Sequence, residues 1–401
     1  MRTTRSMRER SAARGAGVLG ASYGAFGFFW GCWVVVFADF LDAHSLTPGQ
    51  GSVKFVALSV TAIIAMTLLA PRLEAIERGR IVAASLLVHA AGALAIAFAP
   101  SGWLVAAFGL TGVGTGLIDV YVNSAGQAIE SRSSSSVLQP VHAAYGVGGA
   151  LGAVMSGVML TVGISYVGVL VVAAVVQAVA GLVSARSTHL RFAPPPDEAG
   201  AAISLSAFRR WPYLLAPAIV VMAAFFIEGS MDVWSVIYLR RTLGASELAG
   251  SWGFAAFALS VAAGRLFAAR ILFGMGYRRT IFWSGLGAGL AGAIAVSTSS
   301  PVVASFAFLL LGFSLSAAAP AALGIAGETG AGASLAVAAI TTVGYTGFVV
   351  GPPALGWLAD QSGLRATMAA LMLATVVIIV GSLFGRRGSS DTSAIPSVRR
   401  S

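Results

Sequence analysis

The sequence predicts an all-α membrane protein of twelve transmembrane helices in two pseudo-symmetric six-helix bundles, on three observations. Twelve apolar runs follow one another, most of them near the ~20 residues that cross a bilayer at ~1.5 Å rise per residue. Almost all the arginine falls in alternate gaps between them. One long polar interruption separates six runs from six. Composition agrees: with 57% hydrophobic and 10% charged residues the chain has too little polar surface for water, and 49 glycines suit close helix packing in lipid.

The runs lie at about 15–38, 50–70, 81–99, 103–127, 139–162, 166–184, 213–237, 249–272, 280–297, 302–325, 333–356 and 366–385. The first follows Arg2, Arg5, Arg8, Arg10 and Arg14 and is too long for a signal-peptide core, so it is expected to stay as a helix that starts in the cytoplasm. Arg72, Arg78 and Arg80 then close the second run, Arg132 the fourth, and Arg186, Arg191, Arg209 and Arg210 the sixth. Arg270, Arg278 and Arg279 follow the eighth, and Arg386, Arg387, Arg399 and Arg400 the twelfth. Only Arg240, Arg241 and Arg365 fall in the other gaps, while Lys54 and Arg265 lie within runs. This asymmetry requires an even number of helices and predicts cytoplasmic termini.

Residues 185–212, with Pro194, Pro195, Pro196, Asp197 and Glu198, form the longest polar stretch. They divide the chain into a tail at 1–14, a bundle at 15–184, a linker at 185–212, a second bundle at 213–385 and a tail at 386–401. The halves echo each other at an offset of about 200 residues. Gly112 answers Gly312, Tyr145 answers Tyr345, and Arg78, Gly79 and Arg80 answer Gly276, Arg278 and Arg279. The net charge of +10 is dispersed over membrane-flanking loops, which argues against nucleic acid as a partner. Cys32 is the lone cysteine, so an internal disulfide and a cysteine-cluster metal site are excluded, and no cofactor motif is present.

Parallel halves joined by a long cytoplasmic loop resemble the major facilitator superfamily over nearly the whole chain. The turn Pro71-Arg72-Leu73-Glu74-Ala75-Ile76-Glu77-Arg78-Gly79-Arg80 is a degenerate version of the superfamily's motif after the second helix, with Arg78 and Arg80 as its basic gating positions. Its second copy, Gly264-Arg265-Leu266-Phe267-Ala268-Ala269-Arg270, has Ala269 where relatives often carry aspartate. The resemblance implies rocking of one half against the other around a midplane site, in a protein that works as a monomer.

An ionisable group within a span costs about 2.5–3.5 kcal/mol at the helix centre, so each one calls for a reason. In the glycine-rich run from Gly112 to Gln127, Asp119, Asn123 and Gln127 stand four apart and share one helix face. Glu228 and Asp232 are likewise four apart in the seventh run. The fourth run resembles that of the fucose-permease-like branch, as do Val141 to Gly149 and the stretch from Glu228 to Ser235, the latter like uncharacterised bacterial inner-membrane relatives. That resemblance implies proton coupling and solute binding at Asp119, with Glu228 as the second proton-coupling candidate. In the first run Phe28-Phe29-Trp30-Gly31 is similar to the branch, and the branch's aspartate would fall near Ala38 or Asp39.

Asp232 either contacts solute or pairs with Arg240 or Arg241, and Arg265 binds an anionic solute, snorkels or pairs with an acid. Lys54 is expected to pair with Asp39 or Asp42. Trp30, Asn123, Gln127, His142, Tyr145, Trp234 and Tyr345 are candidate lining residues, with packing as the alternative role of each. His89 reads as structural. Glu130 is expected at the cytoplasmic mouth, tied to nearby arginines or gating, and Gly351-Pro352-Pro353 is expected to break or bend the eleventh helix.

An enzyme would need a reactive constellation at one membrane face, and the scattered histidines and absent phosphate-loop motif supply none. The sequence therefore predicts a secondary transporter in a bacterial-type cytoplasmic membrane, moving a small polar, sugar-like solute with protons in symport. Export of a metabolite or drug, and a non-transporting sensor or scaffold, are the alternatives. Absence of a proline from Gly148-Gly149-Ala150-Leu151-Gly152 favours import over drug–proton antiport.

Overall fold

The computed structural model describes residues 2–131, 133, 136–190 and 206–384. Arg132, Arg191, the proline-rich part of the expected linker and the tail from 385 onward lie outside the described residues, as do the side chains of Arg2, Arg5, Arg8 and Arg10.

The first six helices are α1 (Arg2–Ala43), α2 (Pro48–Leu73), α3 (Arg78–Phe98), α4 (Leu104–Glu130), α5 (Leu138–Thr161) and α6 (Tyr166–Arg186). Thr47 starts α2 with a complete capping box: its side chain accepts from the Gln50 amide, and the Gln50 side chain accepts from the Thr47 amide at 3.0 Å. The second six open with α7 (Leu215–Arg241). Helix Glu247–Ser297 is broken at Gly276 (φ 73°), giving α8 (247–275) and α9 (277–297). Pro301–Leu315 and Ala318–Gly327 together form α10, interrupted where Pro320 leaves the Ser316 carbonyl without an amide donor. Helix Ala333–Leu383 is broken at Gly363 (φ 79°) into α11 (333–362) and α12 (364–383).

All twelve expected spans are present. Two turns are tighter than expected, because the polar gaps after the eighth and eleventh runs contract to single glycines in a left-handed conformation that a side chain would strain. Of the break or bend expected at Gly351-Pro352-Pro353, the break is absent: both prolines lie inside helix, and α11 ends at Gly363.

Association of helices in lipid depends on close packing, because lipid tails are as apolar as the side chains they replace. The tightest contact joins α1 to α5, where Gly148 faces the Gly24 carbonyl and Gly152 the Phe28 carbonyl, with Gly27 and Gly31 answering from α1. No Cβ fits at those points. The second half repeats the arrangement, with α7 on α11 through Gly347 and Gly351. Gly112 lies against the Leu58 carbonyl of α2 and its counterpart Gly312 against the Phe257 carbonyl of α8, so the sequence echo is one of packing function. The halves meet through α5 on α8 and α2 on α11.

At the face opposite the amino terminus, side chains cross between the halves. Arg240 bonds Asp39 at 2.6 Å, Arg241 bonds Asp42 at 2.6 Å, and Asp360 accepts from Thr47 Oγ1 at 2.8 Å and from the Gly49 amide at 3.1 Å. The expected pairing of Lys54 with these aspartates is corrected: the two arginines occupy them. On α1, residues 31–38 are all buried, whereas Arg14, Gly17 and Ala21 share an exposed face toward the amino-terminal end. The central helices are thus sealed at one face and open at the other.

Overpacking by one methyl group costs about 1–3 kcal/mol. Gly148→Ala is expected to destabilise the protein by that amount and so to lower its thermal midpoint in detergent, while Gly17→Ala, whose added Cβ meets nothing, leaves the midpoint unchanged. A scanning thermal melt of both variants checks this.

Candidate functional site

Between the two halves, where α1 and α7 pass from their sealed to their open ends, the polar side chains of the spans converge. Glycine contact holds α1 close to α5, and this puts the Tyr23 ring edge-on to His142 and beside Tyr145, with centroids 5.2 Å apart in each case. The Tyr23 hydroxyl donates to Asp119 Oδ1 at 2.8 Å. One turn along α4, Asn123 Nδ2 donates to the Asp119 carbonyl at 2.7 Å, and its Oδ1 lies 3.0 Å from His142 Nε2. Three helices therefore share one network, with Asp119 at its centre. No lysine or arginine pairs with Asp119 among the described residues.

The second half supplies the opposite wall. Arg265 of α8 donates to Glu228 of α7 at 2.5 Å, a pair that resolves the alternatives for Arg265 in favour of an acid. Asp232 stands one turn beyond Glu228 and within the field of both Glu228 and Arg265. It does not pair with Arg240, which holds Asp39 and Glu247, nor with Arg241, which holds Asp42. Tyr345 packs on Phe225 and Phe348 and lies within electrostatic reach of Asp119 across the gap. Tyr145 feels Asp232, Asp119, Glu228 and Arg265 together, which places it between the two walls.

Of the residues singled out in the sequence, Asp119, Asn123, His142, Tyr145, Glu228, Asp232, Arg265 and Tyr345 come together here. The others do not. Trp30 packs edge-on to Phe26 and Phe29, and Gln127 is exposed one turn nearer the open end. Trp234 is sealed between the halves, edge-on to Phe37 at 5.8 Å. Glu130 pairs with no arginine among the described residues: its carboxylate accepts from the Val137 and Leu138 amides at 2.5 and 2.9 Å, and so caps the start of α5. Helix termini leave amides unsatisfied, and a carboxylate suits them electrostatically. Arg78 lies over the Tyr121 ring at 5.0 Å, and Tyr121 in turn donates to the Ala70 carbonyl at 2.6 Å, which fastens the α2–α3 turn to α4. Arg80 is exposed and pairs with Glu77 at 3.0 Å. His89 is buried against Gln177 at 3.0 Å, in keeping with a structural role.

Tyr23 escaped the sequence reading. Its signal was its spacing, since Tyr23 and Trp30 are seven apart and lie on one face of an otherwise apolar helix.

No family model matches the chain. It is 33% identical over 269 residues to an uncharacterised MFS-type transporter of Yersinia pestis, covering 66% of this chain and 68% of that protein. The chain belongs to the major facilitator superfamily. It is also 23% identical to the membrane protein MosC of Rhizobium meliloti, over 91% of this chain and 88% of that one. Among solved structures, a bacterial homologue of the human lysosomal transporter Spinster, inward-facing and unoccupied, superimposes with TM-score 0.77 at 14% identity, covering 94% of this chain and 98% of that one. The nucleoside transporter NupG gives 0.71 at 13% identity over 92% and 98%. This major facilitator protein is thus a multi-pass membrane transporter with a small-molecule substrate, and the central network lies where the helices of its two halves face each other.

Removing one member of a buried ion pair strands the other. Arg265→Gln is expected to destabilise the fold by about 3 kcal/mol, at the low end for such pairs because Arg265 retains 27% exposure. The double variant Arg265→Gln/Glu228→Gln should recover most of that loss, as read from thermal unfolding of all three proteins.

Proposed function

We propose that this transporter takes up a small polar, sugar-like solute in symport with protons. The observation that carries the reading is Asp119: a carboxylate without a basic partner among the described residues, held by Tyr23 at the junction of three helices and facing Tyr345 across the cleft. Withdrawal of water favours the neutral form of an acid, and renewed access to water favours its ionised form. A cleft that closes and reopens on alternate sides then loads a proton from one compartment and releases it to the other. At about 2.3 kcal/mol per charge per 100 mV, one proton per solute drives roughly fiftyfold to hundredfold accumulation of a neutral solute at a typical membrane potential.

The arginine bias supports cytoplasmic termini in a bacterial-type cytoplasmic membrane, and with that orientation the open end of the cleft faces the cytoplasm. The cross-half bonds of Asp39, Asp42 and Asp360 then close the outer face. In this reading the working units are the bundles 15–184 and 213–385 joined by 185–212, within a monomer.

Proteoliposomes enclosing a pH-sensitive dye, challenged with pooled sugars and small metabolites, test the reading. At least one pool is expected to drive proton movement, and Asp119→Asn is expected to reduce it to the solute-free background. Flux that persists in Asp119→Asn would move the proton to Glu228 or Asp232. Silence in every pool, with the protein folded and correctly inserted, would sink the symport reading.

A further inference from the structure

Resting on the central cleft as the transport site, we propose that the solute carries a protonated amine, with Asp232 as its counter-ion and Asp119 left for the proton. Three carboxylates, Asp119, Glu228 and Asp232, and one arginine, Arg265, surround Tyr145, and Arg265 also lies in the field of Asp232. That arginine is already engaged, since Arg265 holds Glu228 at 2.5 Å. Two acids, one on each wall, remain without an ion-pair partner among the described residues.

Asp232 is the more telling of the two. Asp119 has its tyrosine donor, but no hydrogen bond reaches the Asp232 carboxylate among the described residues. It is also the single residue between Gly229 and Leu239 that is not buried, so an otherwise sealed stretch of α7 opens to the cleft at the acid alone. The two arginines further along the same helix, which would neutralise it, are turned to the outer face by Asp39 and Asp42.

When the cleft closes and water leaves, two bare carboxylates are prohibitively costly. One proton and one ammonium neutralise both. A neutral solute with a single proton leaves one acid bare, and an anionic solute meets acids while Arg265, the one arginine at the site among the described residues, is occupied. Tyr145, which lies in the field of Asp232 more strongly than in that of any other charge, supplies an electron-rich ring of the kind that favours a cation.

The test uses the whole chain in lipid nanodiscs and matched probes titrated by calorimetry: glucosamine against glucose, galactosamine against galactose, and putrescine against 1,4-butanediol. At least one amine is expected to bind ten times or more tighter than its hydroxyl counterpart. The preference should vanish in Asp232→Asn and persist in Asp232→Glu. If Asp232→Asn is not monodisperse, Asp232→Ser replaces it. The inference is overturned if no amine exceeds its counterpart, or if the preference survives loss of the Asp232 carboxylate. The two readings fail separately. A hydroxyl probe that drives Asp119-dependent proton flux keeps symport and removes the amine, whereas an Asp232-dependent amine preference without any proton flux keeps the amine and removes symport.

Discussion

Backbone contact between α1 and α5 is the constraint on which the site depends. Glycines on both helices face carbonyls across the crossing, so the two axes approach more closely than any side chain would allow. In lipid this packing replaces the hydrophobic drive that gathers helices in water. Its consequence is chemical as well as mechanical. Tyr23 on one helix and His142 and Tyr145 on the other come into ring contact, and α4 needs only to present Asp119 and Asn123 to complete the network. The counterpart contact of α7 with α11 packs the helix that carries Glu228 and Asp232 against the helix that carries Tyr345.

Polar bonds fall into two groups according to what they join. Tyr23 with Asp119 and Arg265 with Glu228 each lie within one half, so one half can rock against the other without disturbing them. Asp39 with Arg240, Asp42 with Arg241 and Asp360 with Thr47 and Gly49 join the halves, and each must break for that face to open. Asp360 leaves little damage behind when it departs. The capping box of Thr47 and Gln50 satisfies the start of α2 by itself, so the bond to α11 can break without unravelling that helix.

Much of the fold was legible in the chain. The transfer cost of polar groups into lipid is local and large, so the spans, their number and the arginine asymmetry appear directly in the order of residues. The match of Gly112 to Gly312 survived as a shared packing role. The stacking of Asp119 on Asn123 followed from helical periodicity, and the two indeed share one network. Less legible were the one-glycine turns at Gly276 and Gly363, because a left-handed glycine leaves no polar run to mark it.

Partners were the part hidden from the sequence. Lys54 yielded Asp39 and Asp42 to arginines about 200 positions away, Glu130 turned to the amides of α5, and Tyr23, unremarked on an apolar helix, proved to hold the central acid. The sequence by itself determined how many helices cross the membrane and which residues are too costly to face lipid, since both depend on the solvent around a single segment. Only the tertiary structure decided which of those residues meet and which acids are left without an ion pair among the described residues, because a charge or hydrogen bond is satisfied by distance in space, and helix packing sets that distance between segments far apart in the chain.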